Sequence, residues 1–156
     1  MAKQRILIVD DEEDICMILS YSLQKAGYET LIAHSAEEAL AILSPIANSP
    51  SPISLILLDI MMDGMSGLEM AKLLSQEQGT KSQDRLVPPI IFLTALADES
   101  TLLQVFNLGA DDYITKPFRV PEVIARVGAV LRRTSEKGTK NQESRPISFV
   151  YSVNGI

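Results

Sequence analysis

Ile53 to Leu58 is an apolar run, interrupted only by Ser54, that stops at the carboxylate of Asp59 and breaks at once into Ile60-Met61-Met62-Asp63-Gly64-Met65-Ser66-Gly67. With apolar side chains on both alternating faces, such a strand has to be covered on both sides, which means a parallel sheet held between helices. In an open sheet of that kind, ligands and chemistry gather at the C-terminal edge of the strands. Asp59 stands on that edge.

Four more short runs share this form. Arg5 to Val9 ends in Asp10-Asp11-Glu12, Tyr28 to Ala33 leads to His34, Ile90 to Leu93 ends at Thr94, and Asp111 to Thr115 runs into Lys116-Pro117. Helical signals alternate with them. Ile15, Ile18, Leu19 and Leu23 precede Gly27, and Ser35 with Glu38 forms a capping box before Ala39, Leu40 and Leu43. Ser66 with Glu69 opens a third helix, which can turn either Leu68, Ala71 and Leu74 or Met70, Leu73 and Leu74 to the sheet. Asp98 caps a fourth helix that Gly109 ends, and a fifth, with Pro121 near its start, gathers Val123, Val127, Val130 and Leu131 on one face. The alternation predicts an α/β fold, doubly wound, with five parallel strands and five helices. His34 reads as a surface histidine, and Cys16 as a small packing residue without metal-ligand partners.

At 156 residues the chain suits one domain with a full core. No apolar run reaches the roughly 20 residues of a membrane span, the N-terminus is unlike a signal peptide, and a lone cysteine suits a reducing compartment, so a cytoplasmic protein is expected. Through Arg133 there are 18 acidic and 11 basic side chains, a balance that repels nucleic acid. Asp10 to Asp14 are acidic without a break.

Parallel strands all point one way, so Asp10, Asp11, Asp59, Thr94 and Lys116 are expected to meet at one edge. Carboxylates that close raise one another's pKa unless a cation holds them, and an oxygen-only donor set favours a hard ion such as Mg²⁺. Phosphoryl transfer asks for in-line positioning and charge neutralisation, which Lys116, Thr94 and a metal on the acidic pair supply to Asp59 as nucleophile.

Val9-Asp10-Asp11-Glu12, Leu57-Leu58-Asp59-Ile60-Met61-Met62 with Gly67, Phe92-Leu93-Thr94-Ala95 and Gly109 to Phe118 together resemble the receiver domain of two-component response regulators. The resemblance covers about residues 4 to 133. It implies a flavodoxin-like sheet in the order 2-1-3-4-5, with Asp59 phosphorylated by a sensor histidine kinase or phosphotransfer protein. It also implies Mg²⁺ on Asp11, Asp59 and the Met61 carbonyl with Asp10 acting through water, a cis bond between Lys116 and Pro117, and a switch in which Thr94 and Tyr113 turn inward together. Such a protein is a binding switch and not an enzyme; self-phosphorylation and autodephosphorylation are its only chemistry.

The stretch from Glu122 to Arg133 is similar to receivers of the OmpR/PhoB-type regulators, which carry a winged-helix DNA-binding domain and dimerise through the fourth helix, fifth strand and fifth helix. Asp111, Asp112, Glu122, Arg126 and Arg133 are the candidates for that interface, although Leu102, Gln104 and Asn107 stand where charged partners are usual. Asp63 replaces the family's common proline, and apolar Met61 and Leu96, each two residues past Asp59 or Thr94, predict slow loss of the phosphoryl group because neither can orient water. Residues 134–146 read as a polar linker, and 147–156, with alternating Ile147, Phe149, Tyr151 and Val153, as the start of a truncated effector domain. The alternative is a stand-alone regulator acting by protein–protein binding. An aspartyl-phosphate phosphatase is disfavoured by Met61 and a flavin carrier by the acidic run after the first strand, while an inert receiver-like domain is disfavoured by the complete acceptor set.

Overall fold

The computed structural model describes residues 3–44, 52–77, 87–95 and 98–139. Among them are five strands, β1 (Arg5–Val9), β2 (Glu29–Ala33), β3 (Leu55–Asp59), β4 (Ile90–Thr94) and β5 (Asp112–Thr115). They alternate with α1 (Glu13–Lys25), α2 (Ala36–Leu43), α3 (Gly67–Glu77), α4 (Glu99–Asn107) and α5 (Val120–Thr139). The sheet order is β2-β1-β3-β4-β5 and every pairing is parallel, as expected. Leu96 and residues 140–156 lie outside the described residues.

The central strands earn their apolar composition. All of Leu55–Asp59 and all of Ile90–Thr94 are buried. Their side chains alternate between two cores: Leu55, Leu57, Ile91 and Leu93 meet α1 and α5, while Ile56, Leu58, Ile90 and Phe92 meet α2, α3 and α4. Each fully buried Leu, Ile or Phe contributes about 1.5–3 kcal/mol, so these two layers supply the main drive for folding.

The helix starts follow the capping chemistry. Ser35 Oγ accepts from the Glu38 N–H at 3.1 Å, while Glu38 Oε1 accepts from the His34 N–H at 2.8 Å. Ser66 and Glu69 exchange two such bonds, each 3.1 Å, and Asp98 accepts from both the N–H and the hydroxyl of Thr101. Gly27 and Gly109 close α1 and α4 at φ +103° and +81°, a region that disfavours any side chain.

Three expectations need correction. On α1 the buried stripe is Cys16, Leu19 and Leu23, while Ile18 is 51% exposed. The helix lies on the sheet along an i, i+3, i+7 line, and Ile18 is turned off it. On α3 the two possible faces resolve into a mixture: Met70, Ala71 and Leu74 are buried, Leu68 is half-buried and Leu73 points outward. Finally, α5 runs through Thr139, so the first six residues of the expected linker are helical. No proline interrupts this stretch, and the Thr134 hydroxyl donates to the Val130 and Leu131 carbonyls at 3.2 Å, which satisfies it on the helix itself.

Candidate functional site

Strand register brings the site together. Val9 pairs with Leu58 and Asp59 with Leu93, so Asp10 and Asp59, each one step further along, come side by side at the sheet edge. Thr94 pairs with Thr115, and the Lys116 N–H donates to the Thr94 carbonyl at 2.9 Å, which anchors the lysine at the same edge. All five residues nominated from the sequence, Asp10, Asp11, Asp59, Thr94 and Lys116, therefore gather at the C-terminal ends of β1, β3, β4 and β5. The Lys116–Pro117 peptide is cis.

Lys116 Nζ donates to Asp10 Oδ2 at 3.0 Å and lies 3.5 Å from Asp59 Oδ2, so one ammonium bridges two nearly buried carboxylates. Burial lowers the lysine's pKa, but the hydrogen bond it donates to Asp10 and the charges of Asp59, Asp10 and Glu12 outweigh it and leave the value raised. For Asp59, burial is the largest influence and the neighbouring Asp10 charge the next. Lys116 and the Met61 N–H pull the other way, and the net value is about 6 against 3.8 for a free aspartate. That is the signature of a carboxylate whose negative charge is not fully compensated by the protein.

Asp10, Asp11 and Asp59 each present an oxygen within 4.8 Å of the others, Asp11 being the exposed member. Three hard oxygens with one lysine between two of them leave excess negative charge, and this donor set fits a divalent cation such as Mg²⁺. Asp63 also helps to fix Asp11. Its N–H, which the proline common at this position would lack, donates to Asp11 Oδ2 at 3.3 Å.

Two supporting residues escaped the sequence reading as parts of the site. Gly67 opens α3 so close to the acceptor that a Cβ there would lie 2.2 Å from the Asp59 carbonyl oxygen, and its N–H donates to the Ile60 carbonyl at 2.9 Å. Cys16, fully buried, donates its S–H to the Asp10 carbonyl at 3.2 Å. Gly67 entered the sequence reading with the turn and the acceptor motif but with no role of its own, and nothing local distinguished Cys16 from packing.

Tyr113 is half-buried against the core beneath α2, α3 and α4, and its phenol pKa is raised by burial and by the Asp98 charge. The residues nominated for a dimer face are largely engaged within the chain. Arg126 Nη1 donates to both oxygens of Asp112 at 3.0 Å, Arg126 Nε donates to Glu122 at 3.2 Å, and Arg133 donates to the Asp111 carbonyl at 3.1 Å.

Residues 6–128 match the family model described as the response regulator receiver domain, which is more than half of the chain. The chain belongs to the response regulator receiver family. This receiver is 44% identical over 134 residues to the phosphate regulon transcriptional regulatory protein PhoB of Pseudomonas aeruginosa, covering 86% of this chain and 54% of that one. It is 43% identical over 131 residues to the alkaline phosphatase synthesis transcriptional regulatory protein PhoP of Bacillus subtilis, covering 84% and 50%. The receiver thus spans about half the length of these relatives. Among solved structures it is similar to a CheY-like receiver domain protein of Methanospirillum hungatei, with a TM-score of 0.73 and 29% identity over 87% of this chain and 99% of that one. Among the described residues no helix is long and apolar enough to cross a membrane.

Proposed function

We propose that Asp59 accepts a phosphoryl group from the phosphohistidine of a sensor kinase or phosphotransfer protein, and that the receiver then changes conformation to control an output. The observation that carries this reading is the near-complete burial of Asp59 beside Asp10 with Lys116 bridging the two. A carboxylate held there, with its pKa at about 6, is ionised and nucleophilic near neutral pH yet sits where charge on an incoming phosphoryl group meets a lysine.

Asp11, Asp59 and the Met61 carbonyl, with Asp10 acting through water, would hold Mg²⁺, which when bound neutralises charge on the transferred oxygens. Lys116 orients the acceptor and receives a phosphoryl oxygen; Thr94, fully buried at the end of β4, offers its hydroxyl to another. Movement of Thr94 toward Asp59 leaves room for Tyr113 to turn inward, and coupling of this kind is worth about 1–3 kcal/mol. Met61, apolar and two residues past the acceptor, does not orient water, so the phosphoryl group is lost slowly.

The receiver unit comprises residues 4–133, and 134–146 connects it, its first part as a continuation of α5, to an effector beginning in 147–156. Transcription, the role named for both relatives, is the output, exerted by a winged-helix domain and not by this acidic domain. A homodimer across α4, β5 and α5 is part of the reading. With Arg126 closed on Asp112 and Glu122 of its own chain, that contact relies on the exposed Leu103 and Phe106 of α4.

The test is to incubate the protein with acetyl phosphate, and separately with beryllium fluoride, in the presence of Mg²⁺, following intact mass, tyrosine fluorescence and sedimentation. A phosphoryl adduct in wild type that is lost in Asp59→Asn supports the assignment. No adduct in wild type, or an undiminished one in the variant, refutes it.

A further inference from the structure

Four of the six methionines, Met61, Met62, Met65 and Met70, lie within the β3–α3 turn and the first turn of α3. Their exposure is graded. Met70 is fully buried, Met62 and Met65 are half-buried against the core, and Met61 is 56% exposed. The one thiol does not compete for oxidants: Cys16 has no exposed surface, and burial followed by the Asp10 charge pushes its pKa to about 12. Among the described residues, the well-exposed sulfurs are therefore Met61 and Met17, the latter 61% exposed on α1. Met61 is also anchored at the acceptor, since its N–H hydrogen-bonds the Asp59 carboxylate.

We propose that Met61 is an oxidant-responsive modification site that sets the lifetime of the phosphoryl group, an inference resting on Asp59 being the phosphoacceptor. A hydroperoxide delivers one oxygen atom to the Met61 sulfur: the S=O bond forms as the O–O bond breaks, the sulfur is oxidised by two electrons, and the peroxide is reduced to water or an alcohol. The product exchanges an apolar thioether for a strong hydrogen-bond acceptor on the exposed rim of the acceptor. An acceptor there holds a water that a thioether leaves mobile, and hydrolysis of the acyl phosphate quickens. The receiver then carries its phosphoryl group for less time under oxidising conditions, and reduction of the sulfoxide restores it.

The experiment compares wild type, Met17→Leu and Met61→Leu before and after hydrogen peroxide, with peptide mapping of each methionine and circular dichroism as a check on the fold. Each sample is charged with acetyl phosphate and Mg²⁺, and loss of the adduct is timed by intact mass. Oxidation is expected to shorten the lifetime about fivefold in wild type and Met17→Leu, the effect of one ordinary hydrogen bond, and to leave the lifetime of Met61→Leu at its own untreated value. Met61→Gln, which places a polar acceptor there without peroxide, is expected to shorten the lifetime in the same direction relative to Met61→Leu. The proposal is overturned if oxidised wild type keeps its lifetime, if Met61→Leu is shortened equally, if Met61 stays reduced while Met17 oxidises, or if Met61→Gln outlasts Met61→Leu. Absence of any adduct in untreated wild type defeats the phosphoacceptor reading itself, which separates the two failures.

Discussion

Asp59→Asn should make the metal-free protein more stable at pH 7.5, although it removes the reactive group. The rise in the Asp59 pKa from 3.8 to about 6 means that the folded state holds the ionised form at a cost of about 3 kcal/mol at neutral pH. Asparagine has nearly the same shape and carries no charge. The attraction to Lys116 that it forfeits is already contained in that net shift, so the gain is about 3 kcal/mol. In a domain of this size that is a rise in Tm of about 10 °C. The sign sets the pH dependence. Because the folded pKa lies above the unfolded one, the penalty is absent below about pH 4, grows between about pH 4 and 6, and is complete above. Thermal unfolding by circular dichroism with EDTA, from pH 4 to 8, should therefore show two curves that converge at the acid end. Adding Mg²⁺ should raise the wild-type midpoint and leave the variant nearly unmoved. A variant less stable than wild type at pH 7.5, or a gap that does not close toward pH 4, would falsify the argument that Asp59 is an uncompensated buried charge.

Other perturbations test the supporting parts. Lys116→Met leaves Asp10 and Asp59 facing each other without the shared ammonium, so it should lower urea stability by about 3 kcal/mol without metal, with part of the loss recovered in Mg²⁺. Gly67→Ala places a methyl 2.2 Å from the Asp59 carbonyl oxygen and should cost about 3 kcal/mol and weaken Mg²⁺ binding. Gly109→Ala, where φ is +81° but the space is open, should cost only about 1 kcal/mol and leave Mg²⁺ binding intact, as titration of both variants can establish. Arg126→Ala removes a part-exposed pairing with Asp112 and Glu122 and should change the unfolding free energy measured in urea by less than about 1 kcal/mol.

Much of the site was legible because strand-end residues carry their position with them. Asp10, Asp59, Thr94 and Lys116 each follow an apolar run, and parallel strands leave their C-terminal residues one place to go. Helix faces were less legible where apolar residues exceeded what a helix can bury. α1 offers Ile15, Cys16, Ile18, Leu19 and Leu23, and only contact with the sheet decides that Cys16 is inside and Ile18 outside. Similarly, no spacing rule distinguishes Leu73 from Ala71 on α3, since both fit a helical stripe.

What the sequence determined by itself is the periodic and terminal information: which runs are doubly buried strands, where helices are capped, and which carboxylates, hydroxyl and lysine end the strands. Those features are local, arising from backbone hydrogen-bonding and the burial of neighbouring residues. Only the tertiary structure decided how much charge is left over at Asp59, which depends on distances to Asp10 and Lys116, residues far away in the chain but within a few ångströms in space. It also decided that Arg126 closes on its own Asp112, and that α3 needs a glycine at its first residue to pass over the acceptor's carbonyl. Electrostatic and steric terms fall off with distance in space and not in sequence, so the chain names the participants while the fold sets their energies.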